Sequence, residues 1–159
     1  MPYIFYNAIH EAGHALIACR CGFDVDGVFV NDRGLATTRV SYDPSKTIPA
    51  MVYCQKIAGS IAVEIQNERE QRKDDAGFGS RDNPEHDAWT AAKVIAYLQS
   101  IAPGFDPEFF ETTWRQWVRE RLLEQWGTVE SLATEIARAF TSKTALPGAR
   151  IREIVKPVP

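Results

Sequence analysis

Apolar residues recur along most of this chain at the spacing of one helical face. Between residues 3 and 21 the stripe runs through Ala8, Ala12, Ala15, Leu16 and Cys19, and Gly22 supplies a C-terminal stop. The texture then changes: Val28-Phe29-Val30 and Thr37-Thr38-Arg39-Val40 are β-prone pieces separated by the turn-forming Asn31-Asp32-Arg33-Gly34. A hairpin or small sheet is therefore expected after helix one. Helical spacing resumes near Pro49, which suits a first-turn position, and continues to about Arg69 with Cys54, Ala58, Ile61 and Ile65 as the core face. Residues 66 to 82, with the charged run from Glu68 to Asp75 and then Gly77 and Gly79, predict a solvated helix end passing into a mobile loop.

Asn83-Pro84 has the form of a cap followed by a first-turn proline, so a third helix is expected to run to about Ile101, before Pro103-Gly104. Beyond Pro107, Phe110, Trp114, Val118 and Leu122 form an apolar ladder ending near Gly127, and tryptophans at that spacing are core. Thr128 can cap the next helix, whose Val129, Leu132, Ala133, Ile136, Ala137 and Phe140 keep the amphipathic period. A short terminal helix is expected around Arg150 to Val155. The pattern as a whole predicts one domain over residues 1–159, mainly α within the α+β class.

Composition narrows the function more than the fold. A net charge of −3 gives no electrostatic footprint for nucleic acid or an anionic membrane. No apolar run approaches the ~18 residues that span a bilayer, and the N-terminus lacks a secretory pattern, so a cytoplasmic location is the expectation. The three cysteines, Cys19, Cys21 and Cys54, match neither a disulfide framework nor a paired zinc site. They read as reduced thiols, with Cys19 and Cys54 filling apolar helix faces.

His10-Glu11-Ala12-Gly13-His14 is H-E-x-x-H inside helix one. Side chains four residues apart lie one turn apart on the same face, so both imidazoles can reach one zinc ion at ~2.0–2.1 Å. Glu11 points about 100° around the helix from His10, which keeps it beside the metal as a general base. Two of the chain's three histidines occupy this one motif, in a helix with no charge before His10.

A peptidase zinc takes a third protein ligand and leaves a position for water. Glu64, Glu85, His86 and Asp87 are the candidates. Asp87 has the best spacing, because Ala91, Val94 and Leu98 follow it on the same helical face, and an inward carboxylate needs a cation. The competing reading is that Asp87, like Glu85, complements the positive end of its helix.

These pieces together resemble the peptidase domain of FtsH-type zinc proteases. The resemblance is carried by Ala8-Ile9-His10-Glu11-Ala12-Gly13-His14-Ala15-Leu16, by the small-residue segment from Ala58 to Ile65, by Asp87-Ala88-Trp89-Thr90-Ala91-Ala92, and by a tail from Leu132-Ala133 to Leu146-Pro147-Gly148. It spans nearly the whole chain, and only the first piece is highly specific. It implies that His10, His14 and Asp87 bind zinc, that Glu11 is the base, and that substrate adds as a strand beside the segment from Thr37 to Val40. Val63 departs from the family, standing where a glutamate is frequent, and the stretch between Glu64 and Asp87 is longer than usual.

The family normally places an ATPase motor and a membrane anchor ahead of the peptidase, yet no G-x-x-x-x-G-K-[ST] loop occurs here. The expected activity is thus an ATP-independent zinc metalloendopeptidase acting on flexible peptides or unfolded segments, with a separate ATPase or adaptor as a candidate partner. Two rivals remain: an inactive relative that binds peptides or a protein, and a domain in which the metal only pins helices one and three together.

Overall fold

The computed structural model describes residues 2–70 and 84–157, the side chains of residues 2–3 and 84–89 excepted. The elements are α1 (Pro2–Arg20), β1 (Asp24–Val30), β2 (Ala36–Ser41), α2 (Pro49–Arg69), α3 (Pro84–Ile101), α4 (Pro107–Glu124), α5 (Trp126–Thr141), β3 (Leu146–Pro147) and α6 (Gly148–Ile154). The fold is mainly helical, with a three-stranded antiparallel sheet in the order β2-β1-β3.

α1 is the centre of the molecule. Every residue from Tyr6 to Ala18 is buried, because α2, α5 and the sheet pack around it on different sides. A helix covered all round needs small and apolar residues all round, which accounts for its run of alanines and its single internal charge, Glu11. The approach to α2 is closest at Gly13, where a Cβ would stand 2.7 Å from the backbone oxygen of Ala58 and 2.8 Å from the Cβ of Ala62. Only glycine permits that crossing, so Gly13 within the motif serves packing. Gly22 ends α1 in the left-handed region, at φ 76°.

β1 and β2 form the expected hairpin, with Val28 opposite Thr38 and an irregularity between Val25 and Gly27. The third strand was not expected. Leu146 and Pro147 pair with Val28 and Gly27, and β3 therefore takes the side of β1 away from β2 and leaves β2 at the edge. α6 begins at once behind it, at Gly148 rather than Arg150, and Gly148 lies directly against the carbonyl of Val25.

Three sequence expectations need correction. Gln66 and Asn67, placed in a solvated helix end, are buried within α2. The break after the aromatic helix falls at Gln125, and Gly127 is helical. Thr128 caps nothing: α5 starts at Trp126, whose indole is buried and whose Nε1 donates to Glu130 Oε1 at 3.1 Å. The reason is tertiary, since Gln125 Oε1 accepts from the Arg20 guanidinium at the end of α1. The expected loop between Glu70 and Pro84, with the Asn83 cap, lies outside the described residues.

Val118, Leu122, Val129, Leu132, Ala133 and Ile136 are buried against α1, as their spacing predicts. Phe110 and Trp114 are only half-buried. They continue an aromatic chain from Tyr53 along α4, with ring centres 5.1 Å apart for Tyr53 and Phe110 and 6.3 Å for Phe110 and Trp114. Among the described residues no helix is long and apolar enough to cross a membrane.

Candidate active site

His10 and His14 lie one turn apart on the side of α1 that meets α2, and both are buried, with 1% and 4% of their surface exposed. His14 Nδ1 is 2.6 Å from the backbone oxygen of Gln55 on α2. A carbonyl only accepts, so Nδ1 carries the proton and donates it, leaving Nε2 of the neutral ring with a lone pair. That Nε2 is 3.0 Å from His10 Nε2, and the rings stand edge to face at 80°. Two nitrogens each ~2.0–2.1 Å from one tetrahedral ion lie roughly 3.4 Å apart, so the pair is within a few tenths of an ångström of a chelating geometry. Without a cation the same approach is met by His10 Nε2–H donating to His14 Nε2.

Gly59 faces this pair from α2. A Cβ there would stand 2.6 Å from His14 Nε2 and 2.7 Å from His10 Nε2. The close approach of both imidazoles to α2 therefore depends on a residue without a side chain. Ala58, Gly59 and Ala62 divide the work: Ala58 and Ala62 take Gly13, and Gly59 takes the imidazoles. The residues fit a small cation held by two imidazoles, with a backbone carbonyl fixing one ring's tautomer from behind, as metal-ligating histidines usually require.

Glu11 is 3% exposed and is the only carboxylate within α1. An ionised group so placed needs hydrogen bonds. Both come from Thr38 on β2, whose backbone N–H donates to Glu11 Oε2 at 2.8 Å and whose hydroxyl donates to the same oxygen at 2.6 Å. Oε1 has no partner among the described residues. Sequence reasoning gave Thr38 no such role, because nothing in strand spacing signals a contact across 27 positions.

Glu11 and His14 open onto a cavity of about 370 Å³ that is also lined by Thr37 to Val40 of β2, by Gln55 and Lys56 of α2, and by Tyr42. The expected docking segment thus lines the same cavity as Glu11. β2 is one of the two edge strands, and Thr38 N–H points away from β1 to reach Glu11. By the two-residue alternation Val40 presents its backbone groups on the same outer side.

No family model matches the chain, and no curated protein or solved structure is significantly similar to it.

Of the four candidates for a third ligand, Glu64 is turned elsewhere. Both its oxygens accept from Arg115 of α4, at 3.0 and 3.1 Å, on the surface. Asp87 lies in the first turn of α3, which packs on α2, but its side chain, with those of Glu85 and His86, lies outside the described residues. Among the described residues no cluster of three or more metal-ligating side chains forms.

The three cysteines are free thiols, as their number suggests. Cys54 is buried in the core, while Cys19 and Cys21 are half-buried against it. Burial pushes the Cys54 thiol up to about 12 and Cys21 up to about 11.

Proposed function

We propose that this chain is a zinc-dependent, ATP-independent metalloendopeptidase related to the FtsH peptidase type, acting on flexible peptides or unfolded segments. The observation that supports it best is the convergence of two buried imidazole Nε2 atoms 3.0 Å apart, beneath a glycine, next to a hydrogen-bonded carboxylate that faces a cavity. A buried helix gains nothing in packing from two histidines and a glutamate, and each costs desolvation unless satisfied.

In this reading His10 and His14 hold the ion, and Asp87 completes the set as the resemblance implies. When bound, zinc supplies Lewis acidity that polarises a carbonyl and eases removal of a proton from water. The chain's own residues do the rest. Thr38 fixes Glu11 through Oε2, so Oε1 is the atom that takes the water proton and returns it to the departing amine nitrogen. Buried on all sides, α1 keeps the base and both imidazoles in register, which limits the loss that a small misplacement would cause. The edge of β2 beside Glu11 suits an extended peptide rather than a folded domain. A separate ATPase or adaptor would be needed to present folded substrates, and the reduced thiols suit a cytoplasmic setting.

Hydrolysis of an unfolded, carboxymethylated protein by the zinc-loaded chain tests the proposal. Cleavage should stop with chelator, return with zinc, and be lost in Glu11→Gln while zinc is retained. Cleavage by Glu11→Gln at the parent rate would remove Glu11 as the base. Unfolding on chelation with no cleavage under any condition would favour the structural pin.

A further inference from the structure

Tyr42 follows the end of β2 and belongs to two cavities at once. It closes the cavity of Glu11 and His14, and it forms one wall of a second cavity of about 280 Å³. The second is mainly apolar: Pro44, Pro49, Val52, Val94 and Tyr97 line it, together with Thr47 and Lys93. Tyr42 is held in place by its ring stacked 5.2 Å from that of Phe23, yet it is 46% exposed, and Tyr97 is 53% exposed. Contiguous exposed apolar surface rimmed by polar residues is a mark of a binding groove.

We infer that this groove is a second substrate subsite, which takes an apolar, preferably aromatic, side chain of an extended peptide some distance from the bond that is cut. The inference rests on the peptidase reading for the identity of the occupant. Tyr42 joins the two cavities: Thr38 and Val40 of the edge strand β2 line the first beside Glu11, and Tyr42, just past the end of that strand, lines both. A peptide strand laid along that edge leads into the groove. Thr38 and Tyr42 are four residues apart, roughly 13 Å along a strand, so the apolar side chain belongs about four residues from the cleaved bond. The substrate class is then an unfolded segment bearing a large apolar residue at that remove, a choice made at a site where no chemistry occurs.

A series of internally quenched decapeptides, identical except that one phenylalanine is moved a position at a time, reads this directly when cut sites are mapped by mass spectrometry. The zinc-loaded full chain should favour peptides with phenylalanine about four residues from the cut, by about tenfold or more in kcat/KM over the serine-substituted peptide, mainly through KM. Val94→Asp and, separately, Tyr97→Ser should bring that ratio close to one. Anisotropy of the same peptides on zinc-loaded Glu11→Gln should show the same preference in binding. If that binding preference is present but the parent cleaves nothing, the peptidase reading falls and with it the subsite, leaving the groove as a site that only binds apolar peptide side chains. Equal cleavage wherever the phenylalanine sits, or a preference untouched by both groove variants, would overturn the subsite and leave the peptidase. Dimerisation of the parent that Val94→Asp abolishes would also overturn it, by giving the groove to a second copy.

Discussion

Gly59 lies so close to His14 that a Cβ on it would stand 2.6 Å from the imidazole Nε2. A helix interior normally prefers alanine to glycine by up to about 1 kcal/mol, so the missing methyl group has a local cost that the close packing of the imidazoles against α2 offsets.

This separates two glycines by effect. Gly59→Ala should fold, helped by the better helix former, while zinc affinity falls at least tenfold because the methyl group would press on both imidazole Nε2 atoms. Gly13→Ala should instead loosen the crossing of α1 and α2 and lower stability by about 1–3 kcal/mol, as overpacking does. Denaturant melts paired with zinc titrations on both variants check this; equal zinc affinity in Gly59→Ala and parent would contradict it.

Thr38 should act on Glu11 without touching the metal. Thr38→Val removes the hydroxyl and keeps the backbone N–H, so one of two hydrogen bonds to Oε2 is lost. A hydrogen bond to a charged acceptor contributes about 1.5–3 kcal/mol. A fall in kcat of about tenfold is expected, with KM and zinc content unchanged and activity restored in Thr38→Ser. A rise in KM alone would make Thr38 a substrate contact instead.

The thiols give a pH dependence of known sign. Folding raises the pKa of Cys54 from 9.0 to about 12 and that of Cys21 from 9.0 to about 11. The folded state thus favours the protonated thiols: their contribution is complete below about pH 9 and is lost as pH rises toward the folded values. Stability should fall between about pH 9 and pH 11, and a thiol reagent at pH 8 should label Cys54 only on unfolding. The Cys54→Ala variant should show a shallower alkaline loss; an equal loss would assign it to other groups.

Helix one, the hairpin and the meeting of the two histidines were legible because each rests on local spacing: His10 and His14 meet by helical geometry alone, and Val28 and Thr38 by strand alternation and a turn. What escaped depends on distant partners. β3 is two residues long and contains a proline, so nothing in Leu146-Pro147 announces a strand until β1 is beside it. The helix break at Gln125 follows the reach of Arg20 rather than the glycine two residues later. Gly59 sits in a run of small residues that reads as packing, and only the imidazoles across from it give it a second purpose. The position of Asp87 in α3 follows from its helical pattern, whereas its role is carried by spacing and family resemblance.

Zinc content of the purified full chain, measured by mass spectrometry of the metal after dialysis, tests the central claim most directly. One zinc per chain is expected in the parent and in Glu64→Ala, whose carboxylate is held by Arg115, with loss in His10→Ala and His14→Ala and weakened retention in Asp87→Ala. A parent that takes up no zinc, or a His14→Ala variant that keeps a full equivalent, would contradict it.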